Sequence, residues 1–221
     1  MRTKNANIGE ADCIKAEFID FLLNDFQKKY DLIVNEVPFL RANRWADLIA
    51  IYNGQVIGFE IKGERDNLNT LSEQLSDYIK VFNMVYLVLD EKFIGNPKLD
   101  TINKNIGLII IGKDYKFREK RQAISKASLS KLDLITMLWR KDLEKLAPAK
   151  KGADIEILRN YVTKNCSVKT IQKQIIESLK SRYSDSYKLF LKDRGNYTTI
   201  EDIHTITRIK KAHALSNIDI V

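Results

Sequence analysis

Apolar residues recur every fourth position from Ile14 through Phe18 and Leu22 to Phe26, with Glu17, Asp20 and Lys28 off that stripe. A period close to that of the α-helix predicts an amphipathic helix over residues 9–30. The pattern then shortens. Residues 32–39 read as a strand that closes at Pro38, a residue with no N–H for a sheet ladder. Two further apolar runs, 46–52 and 55–62, flank Asn53-Gly54, a dipeptide suited to the tight turn of a β-hairpin. Thr70-Leu71-Ser72-Glu73 has the spacing of a capping box and opens a helix reaching about Phe82. Met84 to Leu89 is a continuous apolar run, as a central buried strand requires. A short helix at 98–105 and a strand at 107–112 complete an α-β-β-β-α-β-α-β order. That order predicts an α/β fold, a mixed sheet with helices on its faces.

After Gly112 the pattern changes. Residues 113–131 are basic and without clear period, and read as a linker or exposed arm. Residues 132–147 carry Leu134, Met137, Leu138, Leu143 and Leu146 at helical spacing and end before Pro148. Residues 153–165, 167–183 and 200–206 predict further helices. The expected organisation is an α/β core over 1–112, a basic arm over 113–131 and a mainly helical region over 132–221, a candidate DNA-binding part.

Charge divides the same way. The net charge is +8. Residues 1–112 hold 13 basic and 16 acidic side chains, whereas 113–221 hold 24 and 13. A basic second half suits a polyanionic partner and equally a solvated helical surface, and both stay open. No apolar run approaches the roughly 20 residues of a membrane span. Met1 to Asn5 lead into a polar stretch and not a signal peptide. Cys13 and Cys166 are too few for a disulfide framework or a zinc site. The expected location is the cytoplasm, at the nucleoid in a prokaryote, with no membrane partner.

Charged residues interrupt the hairpin at three points. Asp47 opens the first strand, while Glu60 and Lys62 end the second and share one face of it. Charges in a half-buried sheet are costly unless paired or bound to a cation. Two carboxylates and an ammonium converging at one end of a hairpin can hold a hard divalent cation and a phosphate. The alternative is an edge salt bridge. Asp90-Glu91-Lys92 and Asp114-Tyr115-Lys116 repeat the acidic-x-Lys half of the pattern, but they lie past strand ends.

Asp47, followed by Glu60-Ile61-Lys62, resembles the PD-(D/E)XK nuclease superfamily, with Ala46 where the family name has Pro. The resemblance covers roughly residues 9–112 and implies a restriction-endonuclease-like core. It further implies a Mg²⁺-dependent deoxyribonuclease, with Mn²⁺ as the alternative ion. Asp47 and Glu60 would bind the metal, the Ile61 carbonyl would add an oxygen, and Lys62 would act on phosphate and water. Glu17 on the first helix matches the extra carboxylate of Holliday junction resolvases and Mrr-type nucleases, with Glu36 as runner-up. Gln74 and Tyr78 are similar to the Q-x-x-x-Y motif of RecB-type nucleases, where they approach the site and DNA. Repair, recombination, restriction or a mobile element are the contexts this implies, and a homodimer is compatible with them.

The residues themselves add candidate DNA contacts. Arg41 and Arg44 precede Asp47 in a loop, and Arg118, Lys120, Arg121 and Lys126 lie on the basic arm. Tyr161, Tyr183, Tyr187 and Tyr197 lie among basic residues, where base stacking competes with helix packing. The alternative functions are an inactive nucleic-acid-binding or adaptor protein on the same fold, and an interaction domain with a coincidental triad.

Overall fold

A computed structural model describes residues 10–24, 29–126 and 129–207. Six strands form one mixed sheet in chain order: β1 (Leu32–Phe39), β2 (Arg44–Tyr52), β3 (Gln55–Lys62), β4 (Met84–Asp90), β5 (Gly107–Ile111) and β6 (Phe117–Arg121). β1, β2 and β3 are antiparallel neighbours, β4 and β5 run parallel to β3, and β6 turns back antiparallel to β5. The hairpin turn forms as predicted, with Asn53 and Gly54 both at positive φ (48° and 70°).

Two helices cover opposite faces. On α1 (Glu10–Asn24) Phe18 packs against Phe59 and Phe117, each at 5.2 Å between ring centroids, and Phe59 stacks on Tyr86 at 5.7 Å. On the other face, Tyr78 of α2 (Leu71–Val81) and Phe82 beyond it meet Phe39 at 5.1 and 5.2 Å. Gly58 makes this approach possible: a Cβ there would lie 2.5 Å from the Phe82 ring.

The helical region is α3 (Lys131–Leu134), α4 (Arg140–Leu146), α5 (Ile155–Asn165), α6 (Val168–Asp193) and α7 (Ile200–Thr207). α6 and α7 pack against β1, and α7 against α1, so one apolar core runs through sheet and helices alike. The join is polar at its centre. Asp20 of α1, 8% exposed, accepts hydrogen bonds from Arg194 Nη2 (2.7 Å), Thr198 N (2.9 Å) and Thr198 Oγ1 (2.5 Å).

Four expectations need correction. The arm at 113–131 contains an edge strand, β6, whose Phe117 packs beneath α1. Residues 98–105 form no α-helix. They hold a 3-10 turn at Pro97–Leu99, because Asn96 and Asn103 side chains take the backbone N–H groups of Lys98 and Asn105. The helix expected over 132–147 is broken at Ile135–Met137 and restarts where Asp142 accepts from the Trp139 N–H. The capping box at Thr70 does not close, since Glu73 pairs with Arg44 and the Thr70 hydroxyl donates to Gln74. A charge-assisted bond to a guanidinium outweighs a neutral cap. The first helix ends its described span at Asn24, and Phe26 lies outside the described residues.

Candidate active site at a fork in the sheet

The hairpin strands part at the candidate site. β2 and β3 pair from Tyr52↔Gln55 to Leu48↔Phe59. Beyond that rung β2 continues against β1, through Val37↔Ala46 to Phe39↔Arg44, and β3 continues against β4, through Glu60↔Leu87 to Lys62↔Leu89. Asp47 and Glu60 are the first residues past the fork, one on each prong. Asp47 bridges the gap with its side chain: Oδ2 accepts from the Ile61 N–H at 2.7 Å. A carboxylate stands where a strand carbonyl would be.

The far strand is also irregular here. Asn35↔Leu48 and Val37↔Ala46 pair on either side of Glu36, which has φ of 54°. Its carboxylate pairs with Lys15 of α1 at 3.0 Å. Left-handed backbone at a non-glycine residue is costly and clusters at functional sites.

Tyr78 clamps the fork to α2. Its hydroxyl accepts from the Asp47 N–H at 3.1 Å and lies 3.4 Å from the Phe59 carbonyl. Burial first, then the charges of Glu60 and Asp47, holds its phenol well above the usual range. It therefore stays protonated at neutral pH. Lys62 Nζ lies 2.8 Å from Glu60 Oε1, and the Glu60 side chain is 3% exposed. Asp47 is pushed up to about 7, by burial first and by the Glu60 charge second, while the Ile61 N–H, Lys15 and Lys62 pull the other way.

A stability signature follows. Folded Asp47 keeps its proton up to about pH 7, whereas an unfolded Asp releases it near 3.9. The folded state binds more protons across that window, so stability falls as pH rises through it. Asp47→Asn removes the ionisation and keeps an acceptor for Ile61. In EDTA we expect it to gain on the order of 1–3 kcal/mol over the parent near pH 8 and little near pH 4, read from urea midpoints. An equal offset at both values would assign the effect to packing instead.

Asp47, Glu60, Lys62 and Ile61 are thus brought together, with Tyr78 behind them. Lys15, only 6% exposed, joins them, although the sequence reading missed it. Its signal was positional: it lines up with the buried Ile19 and Leu22 at helical spacing, where an unpaired charge is costly. Glu17 is half-buried on α1 and Gln74 sits beside Thr70 at the start of α2. Among the described residues no group of three or more His, Cys, Asp and Glu side chains is arranged to hold a metal. The donor set for a hard cation is the Asp47–Glu60 pair, and Mg²⁺ takes one or two carboxylates with waters and phosphate. The pair fits such an ion, because a divalent cation would offset both causes that raise Asp47, its burial first and the Glu60 charge second.

The expected DNA contacts fare differently. Tyr78 is 2% exposed, so it supports the fork and is no surface contact. Arg44 is held by Asp77 at 2.7 Å and by Glu73. Arg41 is exposed and pairs with Glu156 at 3.3 Å. Arg121 Nε donates to the Ile106 carbonyl at 2.8 Å, and Lys126 Nζ to that of Ile79 at 3.2 Å. Arg118 and Lys120 are exposed on β6. Register pairs Lys62↔Leu89, Leu89↔Ile110 and Ile110↔Arg118 put Arg118 on the Lys62 face, three strands or about 14 Å away. Tyr183 and Tyr187 are buried packing residues, and Tyr197 is exposed.

The bacteriophage P4 protein cII family model matches residues 4–207. The chain belongs to that family. Protein cII of Enterobacteria phage P4 is 25% identical over 213 residues, covering 90% of this chain and 78% of its own length. Among solved structures, the SPO1766 protein of unknown function from Silicibacter pomeroyi matches with a TM-score of 0.34 and 20% identity. That match covers 44% of this chain and 62% of the other. No helix among the described residues is long and apolar enough to cross a membrane.

Proposed function

We propose that this member of the family is a metal-dependent nuclease cleaving DNA phosphodiester bonds at the β2–β3 fork, on a restriction-endonuclease-like core. One observation carries the reading: half-buried Asp47 and buried Glu60 are the first residues on the two prongs of the fork, with Lys62 on the same prong as Glu60. Burial aside, the Glu60 charge raises Asp47 more than Lys15 or Lys62 singly lowers it, and a bound cation would relieve that repulsion. A bound Mg²⁺ would supply charge neutralisation on the phosphate and an acidified water. Asp47 and Glu60 would hold it. The Ile61 N–H and Tyr78 would keep the Asp47 carboxylate aimed. Lys62 would orient the attacking water or neutralise charge developing on the phosphate. Arg118, on the same face, would contact the strand backbone.

A second reading, a nucleic-acid-binding or adaptor protein without turnover, has one observation in its favour. Lys62 already pairs with Glu60, and among the described residues no group of three or more His, Cys, Asp and Glu side chains is arranged to hold a metal.

The deciding experiment incubates the full chain with supercoiled plasmid and with single-stranded DNA in Mg²⁺, Mn²⁺ or EDTA. Metal-dependent cutting that Asp47→Ala loses is the expected result. Binding of either DNA without cutting in any metal would overturn the nuclease reading in favour of the second.

A further inference from the structure

Trp45 is 57% exposed, the largest side chain the described residues present to solvent. Exposure alone does not single it out, since Ile94, Leu132 and Ile157 are similarly open. Its place does. It lies on β2 two residues before Asp47, about 7 Å along the strand. It sits past the fork, where β2 is held by β1 alone through the pair Pro38↔Trp45.

That prong is fixed at its end. Leu40, Arg41 and Ala42 are three consecutive left-handed residues, with φ of 48°, 59° and 62°, and the turn closes with Asn43 N–H donating to the Leu40 carbonyl at 3.2 Å. Three such residues in a row cost several kcal/mol in total at about 1–3 kcal/mol each, and persist only where surrounding structure enforces them. Arg44 ties the base of the turn to Asp77 and Glu73 on α2. Trp45 is therefore a large aromatic ring on a braced strand, flanked in sequence by Arg41 and Arg44 and two residues from Asp47.

We infer that Trp45 stacks on an unpaired nucleobase within one or two nucleotides of the phosphate held at the fork, so that single-stranded or locally unpaired DNA is the preferred substrate. This rests on the nuclease reading above. Inside a duplex both faces of each base are covered by its neighbours, and a protruding ring finds no partner without unstacking them. An unpaired base offers its face, and aromatic stacking on it is sequence-tolerant. Arg41 supplies the phosphate contact, because its exposed pairing with Glu156 is weak enough to exchange.

The test uses the full chain in EDTA, with a fluorescein-labelled single-stranded oligonucleotide of about 20 nucleotides and a blunt duplex of the same sequence. Trp45→Ala is expected to weaken single-strand binding about tenfold and duplex binding little, while Trp45→Phe keeps most of the affinity. Trp45 and Trp139 are the two tryptophans of the chain, so Trp139→Phe leaves one reporter, and single-stranded DNA should quench it. Wild-type single-strand affinity in Trp45→Ala, or an equal loss on both DNAs, would overturn the inference. Cutting in Mg²⁺ separates this from the nuclease reading. Cutting with no Trp45 effect on affinity sinks the stacking alone, whereas Trp45-dependent binding without cutting sinks the nuclease alone.

Discussion

Lys62→Ala is expected to lower metal-dependent cleavage by at least about 100-fold, the scale of losing one preorganised charge in an active site. The side chain is 12% exposed and its ammonium sits 2.8 Å from Glu60, so it is neither a loose surface charge nor a packing residue. Removing it leaves Asp47 and Glu60 with less positive charge nearby. Mn²⁺ binding should therefore persist or tighten while turnover collapses, and that split separates a catalytic lysine from a structural one. Lys62→Arg should recover little, because a planar fork does not replace a compact ammonium. Nicking of plasmid at saturating Mg²⁺ reads the rate, and titration with Mn²⁺ reads the site. A rate within a few-fold of the parent would remove Lys62 from the chemistry.

The largest effect on stability is expected at Asp20, far from the fork. Its carboxylate gathers Arg194, whose side chain is 13% exposed, and the backbone and hydroxyl of Thr198, which is fully buried. Asp20→Ala leaves a nearly buried guanidinium without its counter-charge and removes the carboxylate that accepts from the Thr198 N–H. Breaking a buried ion pair from one side costs about 3–5 kcal/mol. Chemical denaturation should show a loss of that order. A loss below about 1 kcal/mol would mean that water reaches the cluster and solvates both groups.

Much of the sheet was legible because period and turn chemistry agree there. Asn53-Gly54 forces the hairpin, and the apolar run Met84 to Leu89 has no place but a central strand. β6 was illegible for the opposite reason. Phe117-Arg118-Glu119-Lys120-Arg121 carries four charges, and only its pairing with β5 and the contact of Phe117 with Phe18 make it a strand. Helix α6 runs on to Asp193 because Tyr183, Tyr187 and Phe190 extend its buried stripe, and their basic neighbours hid that period. At the site, Asp47, Glu60 and Lys62 could be found because charges stand out in apolar strands. The Lys15–Glu36 pair could not, since it depends on a left-handed residue in β1 and on the approach of α1. The roles expected of Arg44 and Tyr78 changed because α2 lies over the fork: its Asp77 and Glu73 hold Arg44, and its Tyr78 hydroxyl takes the Asp47 N–H.

The two margins of the sheet differ in how open they are to another strand. β1 is overlaid by α6 and α7. β6 is open, but it is five residues long, exposes Arg118, Glu119 and Lys120, and loses register with β5 between Leu108 and Ile109. A short, charged, irregular border is a poor template for another strand. Joining of sheets edge to edge is therefore disfavoured at the β6 border.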